Sequence, residues 1–148
     1  MNGTTISLRV TAPDPEVARV SAGRRQFSIG RPVEFDETSP RVAAIEYALG
    51  SVGGEIVNGL RVFAARRRLE IDAIEAIVTG ELEHELAYLE VIGEEGGPKI
   101  AAITVKVFAA TSDDHLAREV FEQMLERLPL LGTLRTAARV AVELIFTS

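Results

Sequence analysis

The side chains of this chain that could do chemistry are few, and the strongest nucleophile is missing: its 148 residues include no cysteine. That removes thiolate catalysis, thiolate metal ligation and disulfides together. Glu46 is the one charged residue between Arg41 and Glu55. Buried on a helix, it would have a raised pKa and could act as a general acid or base. An ion pair with an arginine at a subunit interface is the simpler role for it. Glu55 and Asn58 read as a partly solvated side of the same helix. His84 stands among Glu81, Glu83 and Glu85. In a strand those carboxylates would share one face and the imidazole the other, so they form a solvated acidic face rather than a converging metal site. His115 reads as a surface residue in the first turn of a helix. Ser51, Thr133 and Tyr47 carry hydroxyls, but neither histidine is close enough in sequence to suggest a triad. Gly50, Gly53 and Gly54 fall inside a helical pattern, not at the strand-to-helix turn that a phosphate loop needs. No cofactor and no metal follows from these residues.

The elements that would position these groups are legible from periodicity. Residues 5–36 read as short strands with few large apolar side chains: Ile6, Leu8 and Val10, then Val17 to Val20 after the turn at Pro13 and Pro15, then Phe27 and Ile29 after Gly23. So thin a core predicts pairing with something beyond the segment. Ser39-Pro40 predicts a helix start, and the helix is expected over 40–67, about 40 Å long at 1.5 Å per residue. Val42, Ile45, Leu49, Val52, Ile56, Leu60 and Phe63 form its apolar stripe. Its other side, from Ala43 through Gly54, is small rather than charged, so burial all round is expected. Gly50, Gly53, Gly54 and Gly59 each cost about 1 kcal/mol relative to alanine. Close approach of a neighbour, best supplied by the same helix of a second subunit, would offset that cost.

Two long strands follow, expected over 71–86 and 99–111 and joined by a turn at Gly96-Gly97-Pro98. Ile74, Ala76, Val78 and Leu82 mark the packed face of the first, and Ala101, Ile103, Val105 and Val107 that of the second. Thr111-Ser112-Asp113-Asp114 opens a second helix, striped by Leu116, Val120, Phe121, Met124, Leu125 and Leu128 and ended by Pro129. A last strand is expected over 138–146. The class is α+β, in one domain spanning 1–148.

Composition excludes several function classes. A net charge of −6 argues against nucleic acid, and the basic run Arg66-Arg67-Arg68 closes a helix, where cations meet the negative dipole end. Apolar residues at 47% and charged residues at 26% are ordinary globular values. Charges interrupt every apolar run before a membrane span's length, and Met1 to Thr5 shows no signal-peptide pattern, so a cytoplasmic protein away from membranes is expected.

Two short stretches carry a resemblance. Ala48-Leu49-Gly50-Ser51-Val52 and Leu128-Pro129-Leu130-Leu131-Gly132-Thr133-Leu134 resemble the two cysteine motifs of the osmotically inducible protein C (OsmC/Ohr) family, thiol peroxidases acting on organic hydroperoxides. The likeness runs from roughly residue 24 to 148. Val52 and Leu128 stand where the family has its two cysteines, which marks a cysteine-less member. The resemblance implies the order N-terminal strands, long buried central helix, β-hairpin, second helix and final strand, in an intertwined homodimer burying more than about 2,000 Å². It also implies an arginine from the N-terminal strands, for which Arg24, Arg25 and Arg31 are available. An acid near the helix start is implied too, but Arg41-Val42-Ala43 occupies that stretch. Val52 and Leu128 would lie side by side in a pocket, with Glu46, Arg24 and Arg25 as its polar candidates. The expected function is a non-catalytic dimer that binds a small hydrophobic ligand. The alternative is an enzyme of this oxidative-stress family that uses Glu46 with an N-terminal arginine.

Overall fold

The computed structural model describes residues 3–148; Met1 and Asn2, part of the N-terminal stretch read above, lie outside the described residues. The chain is α+β and forms two compact units, Met1–Ala48 and Leu49–Ser148.

The first unit holds a three-stranded antiparallel meander, β1 (Arg9–Asp14), β2 (Val17–Ala22) and β3 (Arg25–Ile29). Gly23, at φ +62°, turns β2 into β3. β1 is exposed along its whole length, and Val20 of β2 is buried. Beyond β3 the chain folds back against the start of the central helix α1 (Ala44–Arg66). The helix begins four residues later than Ser39-Pro40 suggested. The cause is a set of competing partners for its first amides. Gly30 N–H donates to Val42 O at 2.8 Å, and the amides of Ala44 and Ile45 donate to the carbonyls of Arg31 and Pro32. The amides of Ala44 and Ile45 are therefore satisfied by the 30–32 segment, and the Ser39 hydroxyl accepts instead from Arg41 N–H. Gly30 makes this approach possible: a Cβ there would lie 2.9 Å from the Cβ of Arg41.

α1 stops in a Schellman motif. Arg68 takes the left-handed conformation at φ +53°, Leu69 N–H reaches Ala64 O, and Arg68 N–H reaches Ala65 O. The basic run is structural here: Arg67 pairs with Glu119 at 3.2 Å, and the Arg66 guanidinium lies over the Phe63 ring.

The second unit is built on a sheet ordered β4 (Ile71–Glu83), β5 (Lys99–Thr111), β6 (Arg139–Phe146). β4 and β5 run antiparallel, while β6 lies parallel to β5 and is reached through α3 (Asp114–Leu125) and α4 (Pro129–Leu134). The alternation read from sequence holds. Ile103, Val105, Val107 and Ala109 of β5 are buried, with Ile74, Ala76 and Val78 of β4 and Val140, Val142 and Leu144 of β6 against the same core. Val52, Ile56, Leu60 and Ala64 of α1 and Ala117, Val120, Phe121 and Met124 of α3 complete it. Ile56 and Leu60 are fully buried, each stabilising the fold by about 1.5–3 kcal/mol.

Three further boundaries differ from the sequence reading. β4 ends at Glu83, not at 86, because His84 is left-handed at φ +58° and opens the short helix α2 (Glu85–Tyr88). Gly96 makes room for that ring, since a Cβ there would lie 2.6 Å from His84 Nδ1. The second helix ends at Leu125, with Asp113 accepting from Leu116 N–H as its N-cap. Pro129 begins α4 instead of terminating α3, and Leu128 is extended, as a residue before proline prefers.

Candidate functional site

Val52 sits on the buried stripe of α1 with none of its surface exposed, and Leu128 retains 8%. Both belong to one core cluster. Leu128 reaches α1 at Gly59, where a Cβ would lie 2.9 Å from Leu128 Cδ2 and 3.1 Å from Met124 Sδ. Gly59 is seven residues beyond Val52, about 10 Å further along the axis. Both positions are thus occupied by packed hydrocarbon.

Glu55, read from sequence as partly solvated, has a specific role. Its carboxylate accepts from Leu130 N–H at 2.8 Å and Leu131 N–H at 2.9 Å, one oxygen to each amide. It therefore caps the N-terminus of α4, where orphan donors and the dipole both favour an anion. Periodicity could not find this contact, because 75 residues separate the partners. Glu55→Ala is expected to lower the unfolding free energy by about 1–3 kcal/mol, because it strands two part-buried amides. Urea denaturation at fixed protein concentration measures it, and wild-type stability in that variant would show the cap to be inert.

Glu46 also serves the backbone: its Oε1 accepts from Ala43 N–H at 2.9 Å, the reciprocal half of a capping box at the start of α1. Among the described residues the ion pairs are Arg41–Glu16, Arg67–Glu119 and Lys99–Glu83. Glu46 is in none of them. Arg24 lies in the β2–β3 turn and Arg25 opens β3, both exposed. No ion pair joins either one, or Arg31, to Glu46 among the described residues. His84 and the acids around it do not form a metal-binding cluster among the described residues.

Two of the first unit's cavities lie near the start of α1. One, of about 240 Å³, is lined mainly by Val17, Ile29, Gly30, Pro40, Val42 and Tyr47, with Ser28 and Arg41 supplying polar groups. Phe27 packs against the Tyr47 ring at 5.2 Å between centroids. The other, of about 270 Å³, is polar, with Glu16, Glu34 and Asp36 facing Arg31 and Arg41. The Thr38 hydroxyl and then its backbone N–H, both donating to Asp36, hold that carboxyl below the usual aspartate range, and Arg31 adds to the effect.

By sequence, the chain matches no family profile and no curated protein. By structure, it is similar to an OsmC-like protein from Mycoplasma pneumoniae, with a TM-score of 0.79 and 11% identity over 98% of this chain and 99% of that one. It is also similar to the organic hydroperoxide resistance protein OhrB of Bacillus subtilis, with a TM-score of 0.61 and 20% identity over 94% and 98% of the two chains. A third likeness is to an organic hydroperoxide resistance protein OsmC from Legionella pneumophila, with a TM-score of 0.65 and 12% identity over 97% and 98%. The fold is therefore the OsmC/Ohr fold, carried by a chain without cysteine. No helix among the described residues is long and apolar enough to cross a membrane.

Proposed function

We propose that this chain is a cysteine-less member of the OsmC/Ohr family that works without catalysis, as a cytoplasmic, single-domain homodimer binding a small hydrophobic molecule. The observation that carries the reading is the chemistry at position 52. The family's reaction needs a thiolate as nucleophile and electron donor, and this chain has no cysteine; the residue that the resemblance sets at that place, Val52, is fully buried. The carboxylates of the central helix that could replace it are engaged elsewhere. Glu46 bonds Ala43 N–H, and Glu55 bonds two amides of α4. This weighs against an enzyme built on Glu46 and an N-terminal arginine.

The ligand we assign to the cavity beside Tyr47 and Val42, rather than to the packed space around Val52. Its volume of about 240 Å³ lies below the range of drug-sized sites and limits the guest to a small one. Dimerisation is supported by apolar surface that one chain leaves in water: Ile6 is 82% exposed, Val10 61%, and Val62 on the open side of α1 49%.

The test uses protein purified from its source. Native mass spectrometry is expected to show a dimer with a small-molecule mass increment, and the same sample is expected to consume cumene hydroperoxide with a dithiol no faster than the blank. A ligand-free monomer would overturn the binding reading. Saturable, protein-dependent peroxide loss would overturn the non-catalytic one.

A further inference from the structure

A different part of the molecule carries unbalanced positive charge. At one end of the second unit's sheet, β4 ends with Glu83, β5 begins with Lys99 and β6 begins with Arg139, while Arg135 caps the C-terminus of α4. These four side chains line a single depression of about 380 Å³. Lys99 is neutralised by its cross-strand partner Glu83, Nζ to Oε1 at 3.1 Å. Arg135 and Arg139 belong to none of the ion pairs among the described residues. Glu81 is the next carboxylate along the sheet. It shares a cross-strand row with Ala102 and Arg139 and lines an adjoining depression together with Arg139, so it offsets part of that arginine's charge. Three cations against the two carboxylates Glu83 and Glu81 leave one positive charge uncompensated, in a chain whose net charge is −6.

Helix electrostatics explains part of this. A cation beside the last carbonyls of α4 offsets the negative dipole end, which accounts for Arg135. It does not account for Arg139, on a separate element, or for the convergence of both on one hollow. Guanidinium forks are matched to the oxygens of phosphate and carboxylate and bind them bidentately.

We propose that the depression formed by Arg135, Arg139 and Lys99 is a binding site for a small dianionic oxyanion, a phosphate monoester or pyrophosphate group. The two arginines clamp the oxygens, and Lys99 is held at the rim by Glu83. The volume accommodates more than a bare phosphate, so a phosphorylated small molecule is the class of ligand. The site is independent of the cavity beside Tyr47 and of the reading given to it.

The experiment titrates the whole protein with inorganic phosphate and with pyrophosphate, separately, at low ionic strength, and follows backbone amide shifts by NMR. Saturable shifts confined to residues 99–101 and 135–139 are expected, with pyrophosphate the tighter probe. Arg135→Gln and Arg139→Gln are each expected to weaken binding by about tenfold, while Lys106→Gln on the same sheet leaves it unchanged. Both arginines are exposed, and circular dichroism checks that the variants fold. No saturation by about 10 mM of either probe, or equal affinity in the double arginine variant, would overturn the site. A hexaglutamate peptide forms the third arm. If it saturates these residues where phosphate and pyrophosphate do not, the patch reads an acidic polypeptide and the small-anion proposal fails.

Discussion

Gly53→Val is expected to destabilise the protein by about 2–3 kcal/mol, read as a lower urea midpoint at fixed protein concentration. Helix propensity alone predicts the reverse, since glycine inside a helix costs about 1 kcal/mol relative to alanine. Sterics decides the sign. A Cβ on Gly53 would lie 2.7 Å from Val78 Cγ2, inside any real carbon contact. Val78 cannot swing away easily. It is β-branched, its strand is paired to β5 opposite Val105, and it packs against the buried core. Leu49 presses the same strand at Gly80, where a Cβ would meet Leu49 Cδ1 at 2.8 Å, so α1 and β4 have no slack between them. Adding Val78→Ala should recover part of the loss, with a coupling energy of about 1 kcal/mol or more in the double-mutant cycle. Additive effects would mean that the two side chains do not collide and that helix and strand lie further apart than the structure has them.

That contact also shows what the sequence could and could not disclose about the fold. The apolar stripe of α1 and the alternation in β4 and β5 were legible because each is periodic along the chain. The conclusion that four glycines needed a close neighbour was sound for two of them. Gly53 meets Val78, and Gly59 meets Leu128 and Met124, all within this chain. Boundaries were less legible, since they depend on partners distant in sequence. Ser39-Pro40 has the right residues for a helix start, yet the carbonyls of Arg31 and Pro32 take the first amides and move the start to Ala44. Pro129 was read as a stop, which its ring permits equally with its actual place as the first residue of α4.

The candidate site divides in the same way. The burial of Val52 followed from the apolar stripe of α1. The duties of the two central-helix acids did not follow. Glu46 bonds an amide three residues before it, a pattern the capping box makes readable, but Ala43 lacks the hydroxyl that usually signals one. Glu55 reaches Leu130 and Leu131 only because α4 folds back across α1, and no local pattern records that. Arg135, in a connection, and Arg139, at the start of the expected last strand, share a depression only because sheet order brings Lys99 beside them.

Gly54→Leu is expected to convert the proposed dimer to monomer at micromolar concentration, a loss of at least about a hundredfold in association, or about 2.7 kcal/mol. The two glycines that the chain itself leaves unexplained are Gly50 and Gly54. Both are exposed, and a Cβ on either would meet nothing within 4 Å. In an isolated chain, Gly54→Ala would relieve a helix cost and stabilise by about 1 kcal/mol. A chain that keeps glycine at both places, on a face continued by the exposed Asn58 and Val62, therefore has a reason outside itself. The proposed dimer would supply it with a second α1 crossing there, because small residues let two helix axes approach within about 8 Å. Leucine would push the axes apart along the middle of the interface, where no rim water could fill the gap. Sedimentation velocity across a concentration series distinguishes the two cases, and thermal unfolding gives a second reading. A shift to monomer with unchanged secondary structure is the expected result. A Gly54→Leu protein that sediments as tight a dimer as wild type would place the subunit contact on another surface. A Gly54→Ala protein that unfolds at higher temperature with no change in association would remove the reason for glycine at this face.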